Sequence, residues 1–312
     1  MIVVIGSLSF DFVMNFPGKF ADQILPEKIH QINLSFLTEK LNKNYGGTAA
    51  NIAYNLALLG EKPAILSPAG KDFVPYRFFL KKNGVETKYI KVYKNDFTAN
   101  YFAVVDQTDN QIGGFYAGAM AKADQLSLKK IKEPLDLVII SPTQPEAMVK
   151  FAQECQQLKI PYLFDPGMQL PRLSATQLEK GVTGAKILIG NDYEIALLQK
   201  KLNLKKKQIL EKVTILITTL GEEGSLIETK NQKIKIKAAK PKEVCDPVGA
   251  GDAYRAGFVA GFWRGLPLKI CGQMGAVTAV YTVEKYGTTT HFFTKKEFCD
   301  RFKKNFSLTL NL

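Results

Sequence analysis

The sequence comprises 312 residues, of which 46% are hydrophobic and 23% charged, and its formal net charge is +13. These values are typical of a globular protein with enough chain for one large domain, or for a domain with an excursion from it. The positive field suits an anionic substrate. We expect neither nucleic acid nor a membrane as a partner, because no recognised nucleic-acid-binding motif accompanies the charge and no apolar stretch approaches the ~20 residues of a bilayer span.

Short apolar runs recur along the chain, and runs of this kind are typical of strands buried on both faces of a sheet. Helical patterns lie between them, notably at residues 49–59 and 146–158. This alternation predicts a doubly wound, mainly parallel α/β sheet. The predicted strands are residues 2–5, 64–67, 137–140, 162–164, 187–189 and 214–218.

Two segments, residues 12–45 and 93–118, depart from this alternation. They are rich in Phe, Tyr and Asn and alternate locally between residue types, which favours strands of a small extra sheet over crossover helices. Because the chain leaves the core and returns to it twice, we expect these segments to form a lid. The α/β core then comprises residues 1–11, 46–92 and 119–312.

The cysteines and the N-terminus indicate a cytoplasmic protein. The opening MIVVIGSLSFD has no basic region and only a short apolar run, which predicts a strand and not a signal peptide. The cysteines lie far apart without a C-x-x-C pair, which is typical of reduced thiols. They are Cys155, Cys245, Cys271 and Cys299.

The stretch DPVGAGD at residues 246–252 carries the strongest chemical signal. Gly249, Ala250 and Gly251 can turn backbone N–H groups inward at a helix N-terminus, where the helix dipole favours an anion. Asp252 follows directly, and it is either a capping residue of that helix or a base that takes a proton from an attacking hydroxyl. The loop does not match the P-loop pattern G-x-x-x-x-G-K-[ST].

Extended further, the stretch DPVGAGDAYRAGF resembles the C-terminal signature of the ribokinase-like (PfkB) carbohydrate kinases. Three other elements resemble family motifs in the same order: GGTAAN at residues 46–51, NDYE at 191–194 and TTLGEEGS at 218–225. The resemblance covers nearly the whole chain. It implies a ribokinase-like three-layer αβα sandwich with a small β-sheet lid, and an ATP- and Mg²⁺-dependent kinase that acts on an alcohol group.

The resemblance also implies a role for each matched residue. Asp252 is the expected base, and Gly249, Ala250 and Gly251 form the expected anion hole. Asp11, Gly47 and Asn51 are expected to bind sugar hydroxyls, although each also suits an ordinary turn or helix start. The expected ATP-site residues are Asn191, Thr218, Gly221, Gly224 and Arg255, and Glu194 is expected to hold Mg²⁺ through water. Asn191 also suits a plain helix cap, and Arg255 a surface arginine.

Residues 7–37 and 113–120 resemble the bacterial adenosine kinases in particular, which implies transfer to the 5′-hydroxyl of adenosine to give AMP, a purine-salvage reaction. On that reading Tyr101 and Phe115 sandwich the purine and Gln169 bonds a base or ribose edge. Met168 stands where that subgroup leads us to expect a polar residue. The alternatives are a sugar, sugar-phosphate or other nucleoside kinase, and a non-catalytic binding protein. A homodimer through the lid and activation by K⁺ are further expectations from the family.

Overall fold

The computed structural model describes residues 1–312, and the backbone contains fourteen strands and nine α-helices. In chain order the strands are β1 (Ile2–Ile5), β2 (Ser9–Asn15), β3 (Lys40–Gly46), β4 (Ala64–Leu66), β5 (Pro68–Gly70), β6 (Lys91–Tyr93), β7 (Ala99–Val105), β8 (Gln111–Tyr116), β9 (Leu137–Ile140), β10 (Tyr162–Phe164), β11 (Ile187–Asn191), β12 (Ile215–Thr219), β13 (Ser225–Glu228) and β14 (Lys233–Ile236). The helices are α1 (Thr48–Leu58), α2 (Val74–Lys82), α3 (Pro145–Leu158), α4 (Ala175–Val182), α5 (Asp192–Leu202), α6 (Lys206–Lys212), α7 (Ala250–Trp263), α8 (Leu268–Val283) and α9 (Lys295–Phe306).

Eight strands form the main sheet, in the order β14-β13-β12-β11-β10-β9-β1-β4. The six strands from β12 to β4 in this order run parallel, and β13 and β14 add an antiparallel edge. Every residue of β1, β9 and β10 is buried, because helices cover both faces of the sheet. The predicted doubly wound α/β fold is confirmed.

The main sheet separates two hydrophobic cores. Along β1, Ile2 and Val4 face the core built with α1, α7, α8 and α9. Val3 and Ile5 face the core built with α3, α4, α5 and α6. The alternation follows from the two-residue period of a strand, and it produces three layers, with helices on each side of the sheet.

A second sheet of four strands has the order β3-β2-β7-β8. Its strand β2 begins only four residues after β1 ends, so this sheet adjoins the carboxyl edge of the main sheet. The small extra sheet is thus present, and its first strand starts at Ser9, slightly before the predicted segment. The division into a core and a lid at residues 12–45 and 93–118 stays a prediction.

Helices α7 and α8 pack closely because glycines line their contact. A Cβ atom at Gly257 would lie 2.6 Å from the Met274 carbonyl oxygen, and one at Gly275 would lie 2.9 Å from that of Tyr254. Gly257 on α7 and Gly275 on α8 therefore allow the two backbones to approach. This contact fixes the direction of α7 and the position of the glycine loop before it. None of the helices has both the length and the apolar character needed to cross a bilayer.

Candidate active site

The glycine loop ends at the N-terminus of α7, as the sequence predicts. Gly249 has φ = 82°, a left-handed conformation that favours glycine, and it directly precedes the helix. The amide of Ala250 donates to the Pro247 carbonyl oxygen at 3.3 Å, whereas the amides of Gly249, Gly251 and Asp252 donate to no protein acceptor. Free N–H groups at a helix N-terminus are suited to hold an anion.

Asp252 lies in the first turn of α7, where one of its carboxylate oxygens accepts a hydrogen bond from Asn51 Nδ2 at 2.9 Å. Burial raises the pKa of Asp252 from 3.8 to about 6, against the opposing effects of Arg255 and of the Asn51 hydrogen bond. A carboxyl group with this pKa is mostly ionised at neutral pH and still accepts a proton readily. Those are the properties required of a general base.

Arg255 lies one turn after Asp252 and is only 7% exposed. Its guanidinium forms a two-point ion pair with Asp165, with Nη2 at 2.9 Å and Nε at 2.5 Å from the carboxylate oxygens. The remaining nitrogen, Nη1, would lie 2.7 Å from a Cβ atom at Gly251. The guanidinium therefore lies against the glycine loop and is not on the surface. Sequence reasoning missed Asp165, although it directly follows the buried strand β10 at the carboxyl edge of the main sheet.

Asn191 and Glu194 form a reciprocal capping box at the start of α5. Asn191 Oδ1 accepts from the Glu194 amide, and Glu194 Oε2 accepts from the Asn191 amide, both at 2.8 Å. The capping role that the sequence left open is therefore present. The charge of Glu194 also contributes to the raised pKa values of Asp165 and Asp252, although burial is the main cause in both. Glu194 thus belongs to the electrostatic surroundings of Asp252.

A cavity of about 650 Å³ adjoins the glycine loop, and Ala250 and Gly251 form part of its wall. Gly221 and Gly224 line it, as the sequence predicts for a nucleotide site. Both have positive φ angles, 57° and 95°. Thr219 lines the cavity in place of Thr218, which is buried in β12. The Thr218 hydroxyl has no hydrogen-bond partner in the protein. Apolar side chains from α7, α8 and the preceding loop complete the wall, among them Val244, Tyr254, Ala276, Val280 and Val283.

The GGTAAN segment approaches the glycine loop from the opposite side. Gly47 directly precedes α1 with φ = 92°, and a Cβ atom there would lie 2.5 Å from the Ser7 carbonyl oxygen. No other residue fits this close approach. Asn51, in the first turn of α1, then reaches Asp252.

Asp11 projects from the second sheet, and burial raises its pKa to about 6 although a Ser9 hydrogen bond opposes the shift. It pairs in register with Asn44 on one side and with Tyr101 on the other, and Tyr101 pairs with Phe115. Residues paired in this way share one face of a sheet. These four side chains therefore form one row across the second sheet.

This row corrects one detail of the sequence-based interpretation. Tyr101 and Phe115 are adjacent on one face, so they form a single wall and cannot enclose the two faces of one purine ring. Gln169 lies on the short turn Gly167–Gln169 after β10, and it is 5% exposed with no partner for its side-chain oxygen. The binding roles of Tyr101, Phe115 and Gln169 stay predictions.

Comparison with known proteins places these features in a family context. A sequence model of pfkB family carbohydrate kinases matches residues 1–295. A nucleoside kinase of Methanocaldococcus jannaschii is 32% identical over 306 residues, which span 97% of each chain. A crystal structure of M. jannaschii nucleoside kinase, described as an archaeal member of the ribokinase family, superposes with a TM-score of 0.89 at 31% identity, covering 97% of this chain and 98% of that one.

A nucleoside kinase of Burkholderia thailandensis is similar to the same extent. Its complex with inosine superposes with a TM-score of 0.89 at 30% identity over 99% of both chains. Its complex with ADP-inosine superposes with a TM-score of 0.87 at 31% identity, covering 99% of this chain and 97% of that one. The similarity spans both the main sheet and the second sheet.

Proposed function

The chain belongs to the pfkB family of carbohydrate kinases, with the ribokinase-like fold that its sequence predicts, and we propose that it phosphorylates nucleosides on the ribose 5′-hydroxyl with ATP as the donor. Its activity is that of an ATP-dependent kinase acting on an alcohol group. The nucleoside kinases of M. jannaschii and B. thailandensis support a nucleoside as the acceptor class. Adenosine, the acceptor that the sequence favoured, is one member of that class.

One contact carries the proposal. The hydrogen bond between Asn51 and Asp252 brings the segment expected to bind the acceptor against the expected base. The cavity of about 650 Å³ opens on the far side of the same loop and is walled by Gly251. In this proposal the acceptor lies on one side of the glycine loop and the nucleotide on the other, so that the two meet beside its free amides for direct phosphoryl transfer.

In the proposed reaction the acceptor hydroxyl loses its proton to Asp252 as its oxygen attacks the terminal phosphorus of ATP, and ADP leaves. The free amides of Gly249 and Gly251 stabilise the charge on the transferred group. Nη1 of Arg255, which lies against Gly251, adds a positive charge behind the same loop. The amides and the carboxylate do not compete, because they act on different atoms of one reaction.

Glu194 fits the role of holding Mg²⁺ through water. One of its oxygens caps α5, and the carboxylate lies near enough to Asp252 to affect its pKa. The structure contains no cluster of three or more His, Cys, Asp or Glu side chains that would bind a metal directly, and Mg²⁺ commonly keeps much of its water shell beside phosphates. When bound, Mg²⁺ neutralises charge on the donor phosphates. Activation by K⁺ stays a prediction, to be tested by comparing turnover in potassium and tetramethylammonium salts.

The row of Asp11 and Tyr101 supports a nucleoside over a sugar phosphate. A carboxylate can accept two hydrogen bonds from a ribose diol, and the aromatic wall of Tyr101 and Phe115 offers an apolar surface to a base. An acceptor that carries its own phosphate would instead need a cluster of basic side chains. The second sheet contributes lysines but no arginine, which weakens the sugar-phosphate alternative.

The opposite face of the second sheet supports the expected homodimer. Four large apolar side chains on this face are 45–61% exposed, one in β3, one in β7 and two in β8. Several exposed apolar side chains gathered on one face of a sheet are unusual for a monomer. We propose that two copies pair through it, and light scattering that shows a monomer at all concentrations would contradict this. The four residues are Leu41, Phe102, Ile112 and Tyr116.

A coupled ADP-release assay tests the function. Mg-ATP is offered with adenosine, inosine, cytidine, ribose and fructose 6-phosphate, and we expect turnover with one or more nucleosides to exceed that with the two sugars. Turnover confined to ribose or fructose 6-phosphate would contradict a nucleoside acceptor and leave Asp252 as base. Absence of turnover with every compound would favour a non-catalytic protein of the same fold.

A further inference from the structure

A loop between α8 and α9 joins three parts of the site, and nothing in the sequence motifs singles it out. Thr288 in this loop is 4% exposed, and its hydroxyl donates to Asn51 Oδ1 at 2.7 Å, while the Tyr45 carbonyl oxygen is a more distant acceptor at 3.3 Å. Its methyl group packs on the glycine loop, since a Cβ atom at Gly249 would lie 2.8 Å from Thr288 Cγ2. The preceding residue, Gly287, donates its amide to Asp246 at 3.1 Å.

The hydroxyl of Thr288 sets the orientation of the Asn51 amide. A side-chain amide has an acceptor oxygen on one side and a donor nitrogen on the other. Because the oxygen accepts from Thr288, the nitrogen faces Asp252 and donates to Oδ2. The opposite orientation would place the amide oxygen against the carboxylate, where two acceptors repel each other.

A second set of buried groups forms hydrogen bonds with the backbone of Asn51. Asn55 Nδ2 donates to the Asn51 carbonyl oxygen at 2.9 Å, and Asn55 Oδ1 lies 2.8 Å from His291 Nε2. The position of Asn51 is therefore fixed by α1, while Thr288 controls the rotation of its amide. Buried hydrogen bonds of this kind restrict the movement of the groups that they join.

We propose that Thr288 is a positioning residue that acts through the Asn51 amide to hold the Asp252 carboxylate ready for the acceptor hydroxyl. With Oδ2 engaged by Asn51, the other carboxylate oxygen, Oδ1, is the one left to receive the proton. This inference rests on the proposed kinase function, because it assigns Asp252 the role of base. It extends the site to a loop about forty residues further along the chain than the glycine motif.

Thr288→Val tests the inference, because it keeps the shape of the side chain and removes the donor. We expect kcat with Mg-ATP and the best nucleoside acceptor to fall by ~10- to 100-fold, since small displacements of a reacting group have effects of this size. The KM for ATP should stay within about twofold, because the nucleotide cavity is untouched. Thr288→Ser retains the hydroxyl and should restore most of the turnover.

Thr289→Val is the matched control. Thr289 is 5% exposed and its hydroxyl donates to the Tyr45 carbonyl oxygen at 3.0 Å, so the variant loses a comparable buried hydrogen bond without touching Asn51. Equal loss of kcat in both valine variants, or a Thr288→Val enzyme within twofold of wild type, would overturn the inference. If Thr288→Val does not fold, Thr288→Ala is held to the same criteria.

A double variant separates positioning from general structural damage. In an Asp252→Asn background the base is absent, so Thr288→Val should cost little further turnover. Additive losses would overturn the inference, because they would show that Thr288 acts elsewhere. The proposed function has its own test. Near-normal turnover of Asp252→Asn alone would show that Asp252 is not the base, and this result does not depend on Thr288.

Discussion

Asp252→Asn is expected to change activity and stability in opposite directions. The amide keeps the size of the side chain and can still accept a hydrogen bond from Asn51, but it cannot take a proton from the acceptor. Removal of a general base typically lowers turnover by ~10²–10⁴. Burial also makes ionised Asp252 costly to the folded protein, so the same change relieves a penalty in the native state.

The size and sign of the stability effect follow from the pKa of Asp252, which rises from 3.8 to about 6 on folding. A shift of this size corresponds to no more than about 3 kcal/mol. Because the folded-state pKa is the higher one, the penalty is absent below the unfolded pKa. It grows as the pH rises from 3.8 and is complete above about 6. Asp252→Asn should therefore raise the free energy of unfolding at pH 8 and leave it unchanged near pH 3.8.

Urea unfolding at several pH values measures this difference, and the ADP-release assay measures turnover on the same preparations. Asp300→Asn serves as the control, since it removes an equal charge from an exposed position on α9. We expect it to leave both quantities near wild type. Asp252→Asn that is less stable than wild type at pH 8 would refute the reasoning, as it would show that the Asp252 charge stabilises the fold. A stability gain independent of pH would refute the assigned cause.

Three further changes test neighbouring features. Asp165→Asn leaves Arg255 buried without its charged partner and should lower the free energy of unfolding by ~3–5 kcal/mol in urea titrations. Gly249→Ala forces a side chain into a left-handed backbone and against Thr288, which should cost ~1–3 kcal/mol and also lower kcat. Burial lowers the pKa of His291 from 6.5 to about 4. The free energy of unfolding therefore decreases as the pH falls from about 6.5 to 4, because the unfolded chain takes up a proton on His291 before the folded protein does. His291→Gln should show a weaker dependence of the free energy of unfolding on pH over that range.

The main sheet could be predicted closely because its strands are buried on both faces. The predicted bounds of β1, β9 and β10 agree with the structure to the residue, since each is an uninterrupted apolar run that ends at a glycine, serine or aspartate. The glycine loop and the start of α7 could be predicted for a different reason. Gly249 needs a conformation that other residues rarely adopt, so the sequence marks the turn directly.

Pairings between distant segments could not be predicted in the same way. Asp165 and Arg255 are 90 residues apart and nothing local to either indicates the other. The position of Tyr101 and Phe115 on the same face depends on the register of β7 with β8, because a shift of one residue would move one of the two side chains to the opposite face. Which of Thr218 and Thr219 lines the cavity beside the glycine loop likewise depends on the face of β12 to which each side chain points. Local patterns predict elements, whereas such contacts arise from how the elements are assembled.

The position of Asp252 directly after a loop with free amides has a physical explanation in this assembly. The free amides of Gly249 and Gly251 attract negative charge. The Arg255 guanidinium beside Gly251 adds positive charge, which its ion pair with Asp165 largely neutralises. Arg255 and Asn51 keep the pKa of Asp252 from rising further than about 6, so burial makes the carboxylate a better base without leaving it protonated at neutral pH. A stronger positive charge at this point would hold phosphate more tightly and leave a weaker base. The buried Asp165 prevents that by pairing with Arg255, which is why we expect its loss to disturb Asp252 as well as the fold.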